Sequence, residues 1–377
     1  MLDDQLSEGR ARAGPADART DDLPAQARSR STVRVMTVDR RRLPEAEGSD
    51  PLALLDGAPL SEAEAGYVAA ARSANTLRGY GSDWAEWCAW CAEEGLVPLP
   101  ARPEDISAYL TFLASHGAKV GTMARRLSAL RFAHRLRGLP DPAAAARVVA
   151  VWEGIRRTHG APPVQAAPLM PPELWDVLEA CPTVKTWRTK GRREELDLAA
   201  VRDRALLLVG FVGALRRSEL AALRVEDLAE HPQGLVLALP RSKTNQEGST
   251  PELVVLPKTS NPARCPVLAL ERWMDLARVV EGPLFRPVSK GNRPLPRPLQ
   301  PESINHLIQA AVARAGIDPT PYSAHSLRAG FVTHAHLRGA SDRAIAHQTR
   351  HRSLATVGTY VRVNEAWEDN AATQLGL

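Results

Sequence analysis

Between residues 60 and 158, apolar side chains recur at intervals of three and four, the period of an amphipathic helix. Leu60-Ser61-Glu62 opens the first helical stretch, with Ser61 placed as its N-cap. Asn75 to Glu94 carries Leu77, Tyr80, Trp84, Trp87, Cys88 and Cys91 at that spacing. Pro103-Glu104-Asp105 starts a third helix with Ile106, Tyr109, Leu110 and Leu113. Val120 to Leu136 is a fourth, turning Met123, Leu127, Leu130 and Ala133 inward and Arg125, Arg126, Arg131 and Arg135 elsewhere. Pro142 to Arg157 supplies a fifth.

The pattern then breaks. Thr158 to Pro172 holds Pro162, Pro163, Pro168, Pro171 and Pro172, a density that blocks helix and reads as an extended linker. Beyond it, helices are predicted at Glu173–Ala180, Leu198–Val212, from Ser218, and at Pro266–Val280, Pro301–Ala315, His325–Leu337 and Ser341–Gln348. A last one covers roughly Val357 to Leu375. Gly234–Leu239 and Glu252–Leu256 are short β-rich runs around a polar turn, which predicts a hairpin. Residues 1–58 show no periodicity and have a disorder composition. The expected fold is therefore mostly α with two domains: a tail at 1–58, an all-helical domain at 59–158, a linker at 159–172, and an α-rich mixed α/β domain with a small antiparallel sheet at 173–377.

Composition adds few constraints. The 377 residues carry a net charge of +5, which suits a polyanionic partner without requiring one. The basic residues are mostly Arg, so each Lys is more informative. Of the four Cys, Cys88 and Cys91 form a C-x-x-C, but no second pair of ligands lies at zinc-site spacing, so they read as helix core and no metal is expected. No apolar run reaches the roughly 20 residues of a membrane helix. Met1 to Arg12 lacks an apolar signal core. A cytoplasmic protein with no membrane partner is the expectation.

Chemistry enters with four motifs. In Gly213-Ala214-Leu215-Arg216-Arg217-Ser218-Glu219-Leu220, Gly213 ends one helix and Ser218 is placed to cap the next, so Arg216 sits at a corner where a phosphate can meet free N–H groups. Lys243 lies in the polar turn of the hairpin. His325 and Arg328 are three apart on one helix face and can meet one ligand. His351 precedes Tyr360 by nine positions. Of the other four Tyr, Tyr67, Tyr80 and Tyr109 have core-like spacing in the helical domain, and Tyr322 follows a Pro-Thr loop. Taken singly, each motif is better read as an ordinary solvated or packed group than as chemistry.

Taken together and in this order, Arg216, Lys243, His325-x-x-Arg328, His351 and Tyr360 resemble the tyrosine recombinases of the phage integrase family. The likeness spans residues 65–377, with Ser73 to Leu139 similar to the Cre-like branch. The family commonly has Leu-Gly before the last histidine, where Thr349-Arg350 stand here, and often a histidine in place of Ala329. The imidazole of His351 carries the chemistry in either case. The resemblance implies a core-binding domain followed by a catalytic domain of the DNA breaking-rejoining type. It implies a site-specific recombinase or integrase acting through a 3′-phosphotyrosyl link without metal, ATP or other cofactor. Tyr360 would be the nucleophile, with Arg216 and Arg328 as phosphate clamps. Lys243 would be the general acid, His325 the base and His351 a phosphate donor, with Glu219 orienting Arg216 or His325. The expected partner is double-stranded DNA with inverted-repeat sites, bound by a homotetramer on two duplexes, with Arg125, Arg126 and Arg131 as further candidate DNA contacts. A type IB topoisomerase, a telomere resolvase and a non-catalytic DNA-binding regulator on the same fold stand as alternatives.

Overall fold

The computed structural model describes residues 61–162, 165–187, 193–239 and 252–351, with 353, 354 and 358. Lys243, Tyr360, the tail through residue 60 and the expected last helix lie outside the described residues. Two compact units divide the chain, one built on residues 74–113 and 121–150, the other on residues from 151 onward.

The first unit follows α1 (Glu62–Ala70), α2 (Ala74–Glu94), α3 (Pro103–Ser115), α4 (Val120–Leu136), a 3₁₀ turn at Pro142–Ala144 and the start of α5 (Ala146–His159). Ser61 caps α1 in a reciprocal box: its Oγ accepts from Glu64 N–H, and Glu64 accepts from Ser61 N–H at 2.8 Å. The core is aromatic. Trp87 stacks on Trp90 at 5.5 Å, and Tyr109 meets Trp87 edge-on at 5.0 Å. Met123, Leu127, Leu130 and Ala133 of α4 face inward, as their spacing predicts. Cys91 is buried and Cys88 half-buried, both free thiols. Tyr109 is enclosed and Tyr80 packs against Phe132, but Tyr67 is 79% exposed, against its core-like spacing. Helix α1 is short and offers no packed face at that position.

The three arginines named as candidate DNA contacts also make ion pairs within this unit. Arg125 Nη1 donates to Asp83 Oδ2 at 2.6 Å, Arg126 donates to Tyr109 Oη at 2.8 Å and pairs with Glu86, and Arg131 lies 3.4 Å from Asp141. Asp83 is buried, and burial raises its pKa while Arg125 and Arg126 pull it down. Arg126 is only 16% exposed.

The second unit contains α6 (Glu173–Glu179), β1 (Val184–Trp187), β2 (Arg193–Leu196), α7 (Leu198–Val212), α8 (Arg217–Ala222), β3 (Leu228–His231), β4 (Gly234–Leu239), β5 (Glu252–Pro257), α9 (Pro266–Ala277), α10 (Pro301–Arg314), α11 (His325–Leu337) and α12 (Asp342–Thr349). Helix α7 is the axle. Ala205 to Val209 are all buried, and a helix apolar on every side belongs inside the core. Asp197 caps it, accepting from Ala199 and Ala200 N–H. The expected hairpin is present as β4 and β5, paired antiparallel from Gly234↔Pro257 to Leu239↔Glu252, and β3 adds a third strand beyond β4. Val254 and Leu256 point to the core while Leu253 and Val255 point out, the alternation of a one-sided sheet. Strands β1 and β2 form a separate hairpin.

The expected linker is partly core. Leu169 is fully buried in the second unit, its N–H donating to Ser326 O at 2.9 Å. Gly330 of α11 lies against that backbone, where an added Cβ would collide with the Leu169 carbonyl. The clash is with backbone and cannot be relieved by a rotamer change. Gly330→Ala is therefore expected to destabilise this unit by about 3 kcal/mol, the upper end for overpacking, read as a lowered urea midpoint. An unchanged midpoint would mean that the 165–172 segment does not pack there.

Candidate active site

The corner between α7 and α8 is made by crowding and one strained residue. A side chain at Gly213 would meet Val209 O, Leu215 and Val254. The left-handed turn itself falls on Ala214, at φ 46°. Helix α8 is capped by Arg216, not by Ser218 as its sequence suggests: Glu219, at the third helical position, accepts the Arg216 N–H at 2.8 Å. Glu219 also accepts Arg216 Nη1 at 2.6 Å, so one buried carboxylate fixes both the backbone and the guanidinium of Arg216. Of the two roles foreseen for Glu219, orienting Arg216 is the one its hydrogen bonds serve. Burial pushes the Glu219 pKa up, but Arg350, the Arg216 N–H and the Arg216 guanidinium pull harder, and the net position is below the usual carboxylate range.

Arg328 lies beneath this corner. It is 1% exposed, donating through Nη1 to Ala214 O at 2.6 Å and through Nη2 to Thr349 O. Three residues earlier, His325 begins α11 and is exposed, the turn before it held by Ser323 N–H to Ser326 Oγ and Ala324 N–H to Asn305 Oδ1, both 2.9 Å. Tyr322 packs partly buried against the core, which leaves it out of this cluster.

His351 follows the end of α12. That end is anchored by Gln348, whose Nε2 donates at 2.9 Å to both Val212 O and Val255 O. His351 Nδ1 is 2.8 Å from Thr349 Oγ1, whose one proton is directed to Ile345 O at 2.7 Å; the network therefore assigns the shared proton to Nδ1. The His351 pKa is pushed down to about 4, first by burial and then by the charges of Arg328, Arg216, Arg350 and His325. The described members of the sequence motif thus act on one imidazole from the α7–α8 corner and from α11.

One member was not foreseen. Arg350 occupies a left-handed position, φ 58°, is 8% exposed, and pairs with Glu219 at 2.7 Å and Glu252 at 3.4 Å. A clue in the sequence was an Arg standing where the family has glycine. Among the described residues no group of three or more His, Cys, Asp or Glu side chains is placed to hold a metal ion. No described helix is long and apolar enough to cross a membrane.

Comparison with known proteins identifies the family. Residues 190–366 match the phage integrase family and residues 67–136 the N-terminal SAM-like domain of phage integrases. An integrase/recombinase XerD homolog of Selenomonas ruminantium is 32% identical over 304 residues, covering 80% of this chain and 85% of that protein. The recombinase Cre of Escherichia phage P1 is 27% identical over 279 residues, covering 70% and 77%. The fold is similar to that of the XerH site-specific recombinase in a post-cleavage complex with palindromic difH substrate, at TM-score 0.54 and 16% identity, covering 79% of this chain and 78% of that one. The chain belongs to the phage integrase family and is an enzyme of the tyrosine recombinase class.

The depressed His351 pKa has a sign that can be checked. Between pH about 4 and 6.5 the unfolded chain holds a proton on residue 351 that the folded chain does not, so stability falls as pH is lowered through that window. In the DNA-free protein the His351 ring should titrate by NMR near pH 4, and His351→Gln should flatten the stability profile between pH 6.5 and 4. A midpoint near 6.5 would show that the ring is not buried among the three guanidiniums as described.

Proposed function

We propose that this chain is a site-specific DNA recombinase that cleaves and rejoins strands through a 3′-phosphotyrosyl intermediate on Tyr360, using neither metal nor ATP. The observation that carries the reading is the positive cluster felt by His351, drawn from the α7–α8 corner, the start of α11 and the end of α12. Cations gathered at a partly buried point suit an anion, and a guanidinium fork matches two phosphate oxygens. The names of the XerD homolog and Cre support DNA recombination as the activity.

In this mechanism the Tyr360 oxygen attacks the scissile phosphorus. The phosphorus–O5′ bond breaks, and a 5′-hydroxyl leaves with a proton from Lys243. A free phenol has a pKa near 10 and needs a base; His325, exposed at the start of α11, takes that proton. Arg216 meets the non-bridging oxygens from the surface, 18% exposed, while Arg328 acts from below, where a buried charge is little screened. The incoming phosphate offsets the guanidinium charges that depress His351, which then takes a proton on Nε2 and donates it in a hydrogen bond to a phosphate oxygen. A 5′-hydroxyl from a second strand reverses the chemistry, and the phosphotyrosyl ester conserves the bond energy. The assembly is a homotetramer on two duplexes with inverted-repeat sites, each protomer closing on DNA through its two domains across the 159–172 linker. Arg125 and Arg131, each with more than two-fifths of its side chain exposed, remain in reach of DNA phosphates as ion-paired groups. The protein works in the cytoplasm on nucleoid or mobile DNA.

Wild-type protein on nicked suicide DNA is expected to give a covalent adduct on a denaturing gel, unaffected by chelator. Tyr360→Phe should bind the DNA without forming the adduct, and an adduct with Tyr360→Phe would move the nucleophile elsewhere. Relaxation of a supercoiled circle carrying no recombination site would favour the topoisomerase reading, and binding without any adduct would favour a regulator.

Arg216→Ala should slow adduct formation by about 10²–10³, the usual cost of one preorganised donor at developing charge. A rate within a few-fold of wild type would remove Arg216 from the phosphate site.

A further inference from the structure

We propose that Arg350 is a positioning residue for strand cleavage, clamping the far side of Glu219 so that the Arg216 guanidinium stays fixed where the scissile phosphate binds. The inference rests on the reading of Arg216 as a phosphate clamp and adds a residue that the motif does not contain.

Glu219 has two oxygens and three N–H donors. Oε1 accepts Arg216 Nη1 at 2.6 Å, while Oε2 is shared between the Arg216 N–H at 2.8 Å and Arg350 Nη2 at 2.7 Å. Arg350 thus holds the oxygen that caps α8, and its hold sets how the other oxygen faces Arg216. The same guanidinium donates to Gln348 O at 2.9 Å and reaches Gly213 O at 3.4 Å and Ala214 O at 3.5 Å, the two residues that turn the chain toward Arg216. Its Nε lies 3.4 Å from Glu252, the first residue of β5.

The position is unfavourable for an arginine on local grounds. An L-residue in the left-handed region is strained, and a guanidinium with 5% of its side chain exposed has lost its hydration. Glycine at 350 would remove both costs. What arginine supplies there is a second cation for Glu219. With Arg350 absent, one carboxylate oxygen of Glu219 loses its charged partner in a buried setting, and the carboxyl becomes easier to protonate and to rotate.

The test uses the full chain on nicked suicide DNA under single-turnover conditions. Arg350→Gly suits the backbone and removes the clamp, while Arg350→Lys keeps a cation against Glu219 without the fork. Arg350→Gly should slow adduct formation about 10- to 10²-fold, the scale of a small displacement at a reacting centre, with DNA affinity within about twofold. Its cleavage rate should also gain a dependence on pH in the carboxylate range, as Glu219 becomes titratable. Combined with Arg216→Ala, it should cost nothing further, because both act through one guanidinium. Cleavage at the wild-type rate, or losses that multiply in the double variant, would overturn the proposal. Arg350→Lys should cleave faster than Arg350→Gly, and should Arg350→Gly unfold at the assay temperature, Arg350→Asn, uncharged and tolerant of the left-handed backbone, is judged by the same two criteria. Arg216→Ala measured alone separates the failures: a wild-type rate there removes the clamp reading itself, whereas a slow Arg216→Ala beside a fast Arg350→Gly removes only this inference.

Discussion

A guanidinium enclosed in the second unit, that of Arg328, joins the α7–α8 corner to the end of α12. One nitrogen holds the carbonyl of Ala214, in the left-handed turn that leads to Arg216, and the other holds the carbonyl of Thr349, two residues before His351. Burying a charge is costly unless hydrogen bonds replace its water, and buried carbonyls are costly without donors. Each requirement meets the other, so the α7–α8 corner and the end of α12 are held together by a group that also carries charge. Removing it would leave two buried carbonyls with fewer donors and loosen both turns at once.

That geometry explains why the surrounding cations tolerate one another. Arg216 and Arg350 share the Glu219 carboxylate, and Arg350 also faces Glu252. The carboxylates fix directions and soften repulsion without cancelling the field, since burial first and the remaining positive charges after it push the His351 pKa down to about 4. A protein that stores positive potential at a fixed point before its ligand arrives spends little reorganisation when negative charge develops there. The helical unit treats its arginines differently. Arg125, Arg126 and Arg131 each face an acid of their own unit, Asp83, Glu86 or Asp141.

Much of the fold could be read from spacing. Helices α4, α7 and α11 run over the residues their apolar periodicity marks, because each buries one continuous face or, for α7, every face. Strands β1 and β2 escaped notice since Val184-Lys185-Thr186-Trp187 and Arg193-Glu194-Glu195-Leu196 show no alternation, and β3 has four residues with one strong apolar position. The cap of α8 was misplaced because Ser218 has the better capping side chain, while the observed cap works through Glu219 reaching back to a backbone N–H. Which motif residues meet was legible only through the family order. Spacing puts His325 and Arg328 on one face but says nothing of Ala214 and Thr349, which are far apart in sequence.

Arg350 marks the limit of motif reading. By resemblance, position 350 is a place for glycine, and the departure looked harmless because the neighbouring imidazole carries the chemistry. The backbone does take the left-handed conformation that glycine suits, so the turn has been kept while its side chain changed. A guanidinium at that point has few places to go except inward, toward the nearest carboxylate, and the nearest carboxylate is the one that orients Arg216. A departure from the family motif therefore lands on the carboxylate that also holds Arg216. Its effect follows from where the Cα–Cβ vector of a left-handed residue points, which the one-dimensional pattern does not contain.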